Sequence, residues 1–417
     1  MSSLHAPTPA RKRSPGLSPE HRLARYRSAF AALDPPFAFV DLDAMWSNSA
    51  DMLRRAAGKP VRIASKSLRC RALVRMILDR EPGFRGQLCF TLPEALWLAS
   101  EGFDDLLVAY PTTDRNALRE LAALTAQAPE RSPIVMVDSI EHLDLIEAAV
   151  GEVSTPLRVC LDFDASLWLA RARIKIGPKR TPIHTPAQAH AFAATICARR
   201  SLKLVAMMCY EGHIAGTGDN APGNPLRNAV IRRMQRASYL ELRARRAEAV
   251  TAVSAVTALQ FVNAGGTGDL ESVASEQAMT EATAGSGFFA PTLFDNYRAF
   301  ALEPAAIFAL PVSRRPGRRM VTALGGGYLA SGPGGKDRLP SPYLPVGLKL
   351  DSLEGAGEVQ TPLIGDAADQ LRIGDQVYFR HTKAGELCER FDRLYLVAGE
   401  EIVDELATYR GEGKAFL

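Results

Sequence analysis

The sequence predicts an α/β chain: a (β/α)8 TIM-like barrel followed by a smaller antiparallel β domain. Three observations predict it. Short apolar runs alternate with helical stretches at the spacing of parallel βαβ units. The alternation recurs over about 260 residues, which favours a closed barrel over an open doubly wound sheet. After about residue 300 it stops, and strand-like runs separated by Gly/Pro turns take over.

The elements follow in order. Residues 1–18 carry Arg11-Lys12-Arg13 among serines and prolines and read as a disordered basic tail. They lack the apolar centre of a signal peptide, and the prolines oppose an amphipathic transit helix. Pro19 to Leu33 reads as a helix stopped by Asp34-Pro35-Pro36. Strands are expected at Phe37 to Val40, Val61 to Ala64, Gln87 to Phe90, Asp105 to Ala109, Ile134 to Val137, Leu157 to Leu161, Leu202 to Met208 and Leu259 to Val262. Helices are expected through Met45 to Ala57 and from Arg69 to Asp79. The barrel domain, with its N-terminal helix, is thus placed at 19–300 and the β domain at 301–417. Strands of the latter are expected at Ile307 to Val312, Met320 to Ala323, Gly357 to Leu363, Gln376 to Phe379 and Leu394 to Val397.

The chain has 417 residues, 47% of them hydrophobic, enough for a sizeable core and for more than one domain. A net charge of +4, with no dense basic stripe interleaved with aromatics, argues against nucleic-acid binding. No apolar run approaches the roughly 20 residues that span a bilayer. Six scattered cysteines without a CxxC pair fit reduced thiols and a cytoplasmic protein.

Lys66 ends the strand-like Val61-Arg62-Ile63-Ala64 between two serines. Most lysines are solvated, but one at the C-terminal rim of a barrel stands where such proteins keep their chemistry. Desolvation there, with Arg62 and Arg69 nearby, disfavours the ammonium and eases Schiff-base formation. Gly265-Gly266-Thr267-Gly268 follows a late strand, and exposed amides at such a turn make an anion nest. Tight turns need glycine anyway. A second run, Gly285-Ser286-Gly287, adds a hydroxyl to another open backbone. Lysine and glycine turns together suggest a pyridoxal 5'-phosphate (PLP) site with Lys66 as carrier. His213, in Tyr210-Glu211-Gly212-His213, reads as a site residue or as a satisfied loop histidine, and Tyr210 as a site residue or a core aromatic. His381 and Cys388 invite a metal reading, although their separation is not a tight ligand spacing.

In this order the motifs resemble the fold-type III PLP enzymes related to alanine racemase, and within them the D-threonine aldolase and D-serine dehydratase branch. The likeness runs over roughly residues 35 to 400. It rests on Pro36 to Ala44 with Asn48, on Lys66, on Tyr210-Glu211-Gly212-His213, on Gly265 to Gly268, on Glu281, on Gly285 to Gly287 and on Phe294-Asp295. The resemblance implies a PLP barrel with a C-terminal β domain, a homodimer, and a small amino-acid substrate. Two departures stand out. Family members place an arginine just before a glycine in the segment that is here Arg171-Ala172-Arg173-Ile174-Lys175-Ile176-Gly177. Lys175 fits that spacing and Arg173 lies two residues off; either is a candidate to contact the cofactor. Metal-dependent members carry His-x-Cys or His-x-Asp where this chain has His381-Thr382-Lys383. Lys383 would repel a cation, so its ammonium is read as replacing the metal's charge. The rival is a divalent metal on His381 and Cys388.

The implied activity is a lyase acting on β-hydroxy-D-amino acids, in first place retro-aldol cleavage of the D-threonine aldolase type with His381 as base. A D-serine dehydratase or deaminase, an amino-acid racemase and a non-catalytic PLP carrier are the alternatives.

Overall fold

A computed structural model describes residues 17–169 and 173–417. Arg171 and most of the expected basic tail lie outside the described residues. The chain divides into two units. One comprises Ala50–Thr217, Val230–Ser286 and Glu412–Leu417; the other takes the described residues up to Ser49, Gly218–Ala229 and Gly287–Gly411.

The first unit is the barrel. Its eight strands are Val61–Ala64, Phe84–Cys89, Leu106–Val108, Val135–Val137, Leu157–Asp162, Leu202–Cys209, Phe261–Ala264 and Glu281–Ala284, each hydrogen-bonded in parallel to its neighbours. A parallel bridge between Leu107 and Ile134 nearly closes the ring. The strands are buried because helices wrap them, and those helices start where the sequence supplies caps. Asp114 Oδ1 accepts from the amides of Asn116 and Ala117, both at 3.0 Å, to open Arg115–Gln127. Thr185 and Gln188 form a capping box at Pro186–Cys197.

Seven of the strands lie where the apolar runs put them, within a few residues. The eighth does not. The strand expected at Phe37 to Val40 was to begin the barrel, yet it runs Phe37–Asp41 and pairs antiparallel with Ala306–Gly317 and parallel with Arg393–Ala398 in the other unit. The vacant place goes to Glu281–Ala284, which lies between Phe261–Ala264 and Val61–Ala64. This strand escapes the apolar pattern because its inner partner is charged. Glu281 pairs with the fully buried Arg62, Nε to Oε1 at 2.7 Å, and accepts from Asn263 Nδ2 at 2.8 Å.

The second unit carries a nine-stranded, largely antiparallel sheet. The domain boundary expected at residue 300 therefore falls differently. The N-terminal helix Pro19–Ala29 and the strand Phe37–Asp41 join this unit, because their aromatic residues form its core. Tyr26, Phe30, Phe37 and Phe39 pack with Ile307, Tyr378 and Val397. At the other end, Glu412–Leu417 belongs to the barrel unit: Arg71 Nε donates to Glu412 at 3.0 Å, and the Phe416 ring lies 5.5 Å from Trp97. Among the described residues no helix is long and apolar enough to cross a membrane.

Candidate active site

Lys66 occupies the short turn Ser65–Ser67 that ends the first barrel strand. Its Nζ lies 3.3 Å from the hydroxyl of Tyr110, which follows the third strand, Leu106–Val108. The guanidinium carbon of Arg180 stands 5.3 Å from the Tyr110 ring and 5.1 Å from the ring of Tyr210, beyond the sixth strand. Burial would raise the Tyr110 phenol, but the charges of Lys66 and Arg180 outweigh it and hold it below its ordinary range. Tyr210 has no such lysine: burial, then Asp269, pushes it up to about 12. At the end of the fifth strand, burial and then Asp138 raise the Asp162 carboxyl to about 8, with Arg180 opposing. Lys66, Tyr110, Asp162 and Tyr210 come from the C-terminal ends of four barrel strands, the rim on which barrels keep their chemistry.

The glycine turn is held from beneath. Gly265 donates its amide to Glu211 Oε2 at 3.0 Å, and Gly266 donates to Asp269 Oδ1 at 2.8 Å. Glu211 Oε1 accepts from Arg246 at 2.7 Å, and Arg246 Nε donates to Glu276 at 2.6 Å. Gly265 has φ +79°, and a Cβ there would meet Val273 Cγ2 at 2.6 Å, so the position demands glycine. The Thr267 carbonyl accepts from Arg55 at 2.7 Å. Burial and then the Glu211 charge hold Asp269 well above the usual carboxylate range. The amides of Gly265 and Gly266 are thus turned inward, and an anion at this turn would meet the stretch from Thr267 to Gly268.

The second glycine run abuts the Lys66 turn. Ser286 Oγ lies 3.0 Å from Ser67 Oγ. A Cβ on Gly285 would meet the Ala64 carbonyl oxygen and Ser67 Cβ, both at 2.8 Å, so only glycine lets the loops approach this closely. Gly287 opens the last segment of the other unit, Gly287–Gly411.

His213 pairs its Nε2 with the Ser238 hydroxyl, while its Nδ1 is buried without a partner. Burial lowers its pKa, so the ring is neutral near pH 7. Arg173 and Lys175 lie in the hairpin formed by Leu167–Leu169 and Ile174–Ile176. Both are exposed, and the Lys175 ammonium sits 3.8 Å from the centre of the Trp168 ring. The cation that stands over the two tyrosines is Arg180.

His381 and Lys383 belong to the β unit. His381 is fully buried, its Nδ1 is 3.2 Å from the Ala306 carbonyl, and its Nε2 has no partner. Burial, helped by Arg380, lowers its pKa to about 3. The Lys383 ammonium donates to the carbonyl and hydroxyl of Ser331 at 3.0 and 3.1 Å. Cys388 is buried. Among the described residues, no three His, Cys, Asp or Glu side chains gather where they could hold a metal ion.

Sequence reasoning missed Tyr110, Asp162 and Arg180. The signal available was positional: Tyr110 and Asp162 each lie at or just past the end of an apolar run, as Lys66 does. Arg180 closes Gly177-Pro178-Lys179-Arg180, a turn with no strand of its own.

Comparison with known proteins agrees with this fold. Solved structures with the same fold include D-threonine aldolase from Filomicrobium marinum, at 18% identity and TM-score 0.74, covering 91% of this chain and 96% of that one. D-threo-3-hydroxyaspartate dehydratase from Delftia sp. HT23 is similar at 19% identity and TM-score 0.71, covering 91% and 98%. Alanine racemase from Bacillus anthracis follows at 13% identity and TM-score 0.57, covering 90% and 98%. No curated protein matches the sequence. Residues 40–280, more than half of the chain, match the alanine racemase N-terminal domain, and the chain belongs to that family, the fold-type III PLP enzymes.

Proposed function

We propose that this protein is a PLP-dependent lyase that cleaves β-hydroxy-D-amino acids, in the manner of a D-threonine aldolase. The observation that carries the reading is the Lys66 amine on the barrel rim, 3.3 Å from Tyr110 and beside the paired hydroxyls of Ser67 and Ser286. The likeness in fold to a D-threonine aldolase and a D-threo-3-hydroxyaspartate dehydratase supports the substrate class.

The residues fit the cofactor. His213 carries an orphaned buried Nδ1, and the glycine at 285 keeps the Ser286 hydroxyl against the Lys66 turn. Lys66 would hold the cofactor's aldehyde carbon, Ser286 and the stretch from Thr267 to Gly268 its phosphate, and Tyr210 and His213 would flank its ring. When bound, PLP supplies an electron sink for negative charge developing at the substrate Cα. Lys66, once freed by the substrate amine, would hold a proton for the return step. His381, whose buried Nε2 has no partner, is the base for the β-hydroxyl proton. Lys383 supplies positive charge in the β unit, and the active form is a homodimer.

The dehydratase is the second reading, favoured by the similar fold of the hydroxyaspartate dehydratase. There Lys66 takes the Cα proton and hydroxide leaves, a departure that a Lewis acid assists. Incubating purified, PLP-loaded protein with D-threonine and D-serine, with and without chelator, separates the two. Glycine and acetaldehyde despite chelator support the aldolase. Ammonia and a keto acid, lost on chelation, establish the dehydratase and return His381 and Cys388 to a metal.

A further inference from the structure

We propose that Tyr110 is a catalytic residue that exchanges a proton with the Lys66 amine, with Arg180 holding the phenol oxygen's charge in place. The inference rests on the reading of Lys66 as the amine that carries the cofactor. The geometry is direct: Lys66 Nζ to Tyr110 Oη is 3.3 Å, and the ammonium also lies 5.8 Å from the centre of that ring. Three groups face Tyr110, each from a different element. Lys66 comes from the turn after the first strand, Arg180 from the segment after the small hairpin, and Tyr210 from beyond the sixth strand. Asp162 faces Arg180 from the end of the fifth strand, where its raised pKa keeps it mostly neutral at pH 7 and leaves the guanidinium to the phenols.

The two tyrosines that Arg180 spans are driven apart by this arrangement. Tyr110 falls below its ordinary range, because two cations outweigh its burial, while Tyr210 rises to about 12. A pair of like groups with separated pKa values marks the one that works as acid and base. The step moves one proton: Lys66 ammonium and Tyr110 phenolate become neutral amine and phenol, with no change in total charge. The neutral amine is the nucleophilic form, and the phenol then has a proton to return.

Two measurements on the full-length protein test this. Ultraviolet titration of tyrosinate in the cofactor-free protein should show one tyrosine ionising below the ordinary value of about 10. Tyr110→Phe removes that transition, and Arg180→Gln, a change at an exposed side chain, moves it upward. A transition unchanged in Tyr110→Phe would overturn the proposal. Next, PLP is added and the visible absorbance of imine formation is followed against pH. Tyr110→Phe should slow it on the order of a hundredfold near neutral pH, with a smaller effect in Arg180→Gln. An imine that depends on Lys66 but has the same pH profile in Tyr110→Phe sinks the inference alone. A visible band that survives Lys66→Ala sinks the reading of Lys66, and the inference with it.

Discussion

The barrel unit and the β unit each bury an apolar cluster and ion pairs, in different balance. In the barrel unit buried ions tie elements together: Arg62 bonds Glu281 across two strands, and Arg246, on the helix Pro225–Ser254, joins Glu211 to Glu276. The β unit buries rings. Tyr26 and Phe39 meet edge to face at 4.8 Å, and Phe30 lies 4.7 Å from Phe39, with Asp41 at the strand end receiving the Tyr26 hydroxyl at 2.7 Å. Buried ion pairs bring little net stability, but each bond fixes a direction. Aromatic packing excludes water and tolerates small shifts. The difference teaches where orientation is needed. Arg246 positions Glu211, Glu211 positions the Gly265 amide, and the turn beside the candidate site is set by a chain of directional bonds.

The comparison breaks first at its ions. Arg62→Met strands Glu281 without its partner, and urea unfolding should show a loss of about 3–5 kcal/mol. Replacing both, Arg62→Met with Glu281→Leu, should recover most of it; a double variant as unstable as the single one would mean the pair stabilises outright. In the β unit, Phe39→Ala opens a cavity among rings and should cost about 3 kcal/mol by the same assay. Unlike the barrel change, it should leave Lys66-dependent imine formation intact under native conditions.

A pH series sharpens the contrast further. Asp162 keeps its proton up to about 8 in the folded barrel, against 3.8 in the unfolded chain. Its contribution to stability is therefore complete below about pH 4 and is lost as pH rises through 8. Asp162→Asn should raise thermal stability at pH 8 by up to about 5 kcal/mol and change it little at pH 4. A gain equal at both pH values would remove the carboxyl from the explanation. His381 works with the opposite sign in the β unit: its lowered pKa makes stability fall as pH drops from 6.5 toward 3. The smallest effect belongs to Arg173→Ala in the exposed hairpin turn, within about 0.5 kcal/mol of wild type in thermal melts. PLP affinity should stay unchanged there, and a clear loss of affinity would restore Arg173 as the cofactor's cation.

By itself the sequence determined the local features. Apolar runs and helix caps act between residues a few positions apart, so seven barrel strands and most strands of the β unit were legible. Lys66 and the two glycine turns were legible for the same reason, since a strand end and a tight turn are written in adjacent residues. Tertiary structure alone decided which sheet each strand joined. Phe37–Asp41 and Glu281–Ala284 exchanged places because one is matched to a core of rings and the other to the guanidinium of Arg62. It also decided that Tyr110 meets Lys66, that Asp162 and both tyrosines gather about Arg180, and that this shared guanidinium separates two tyrosines. Charges act through space across loops far apart in the chain, and no periodicity in the sequence records that distance.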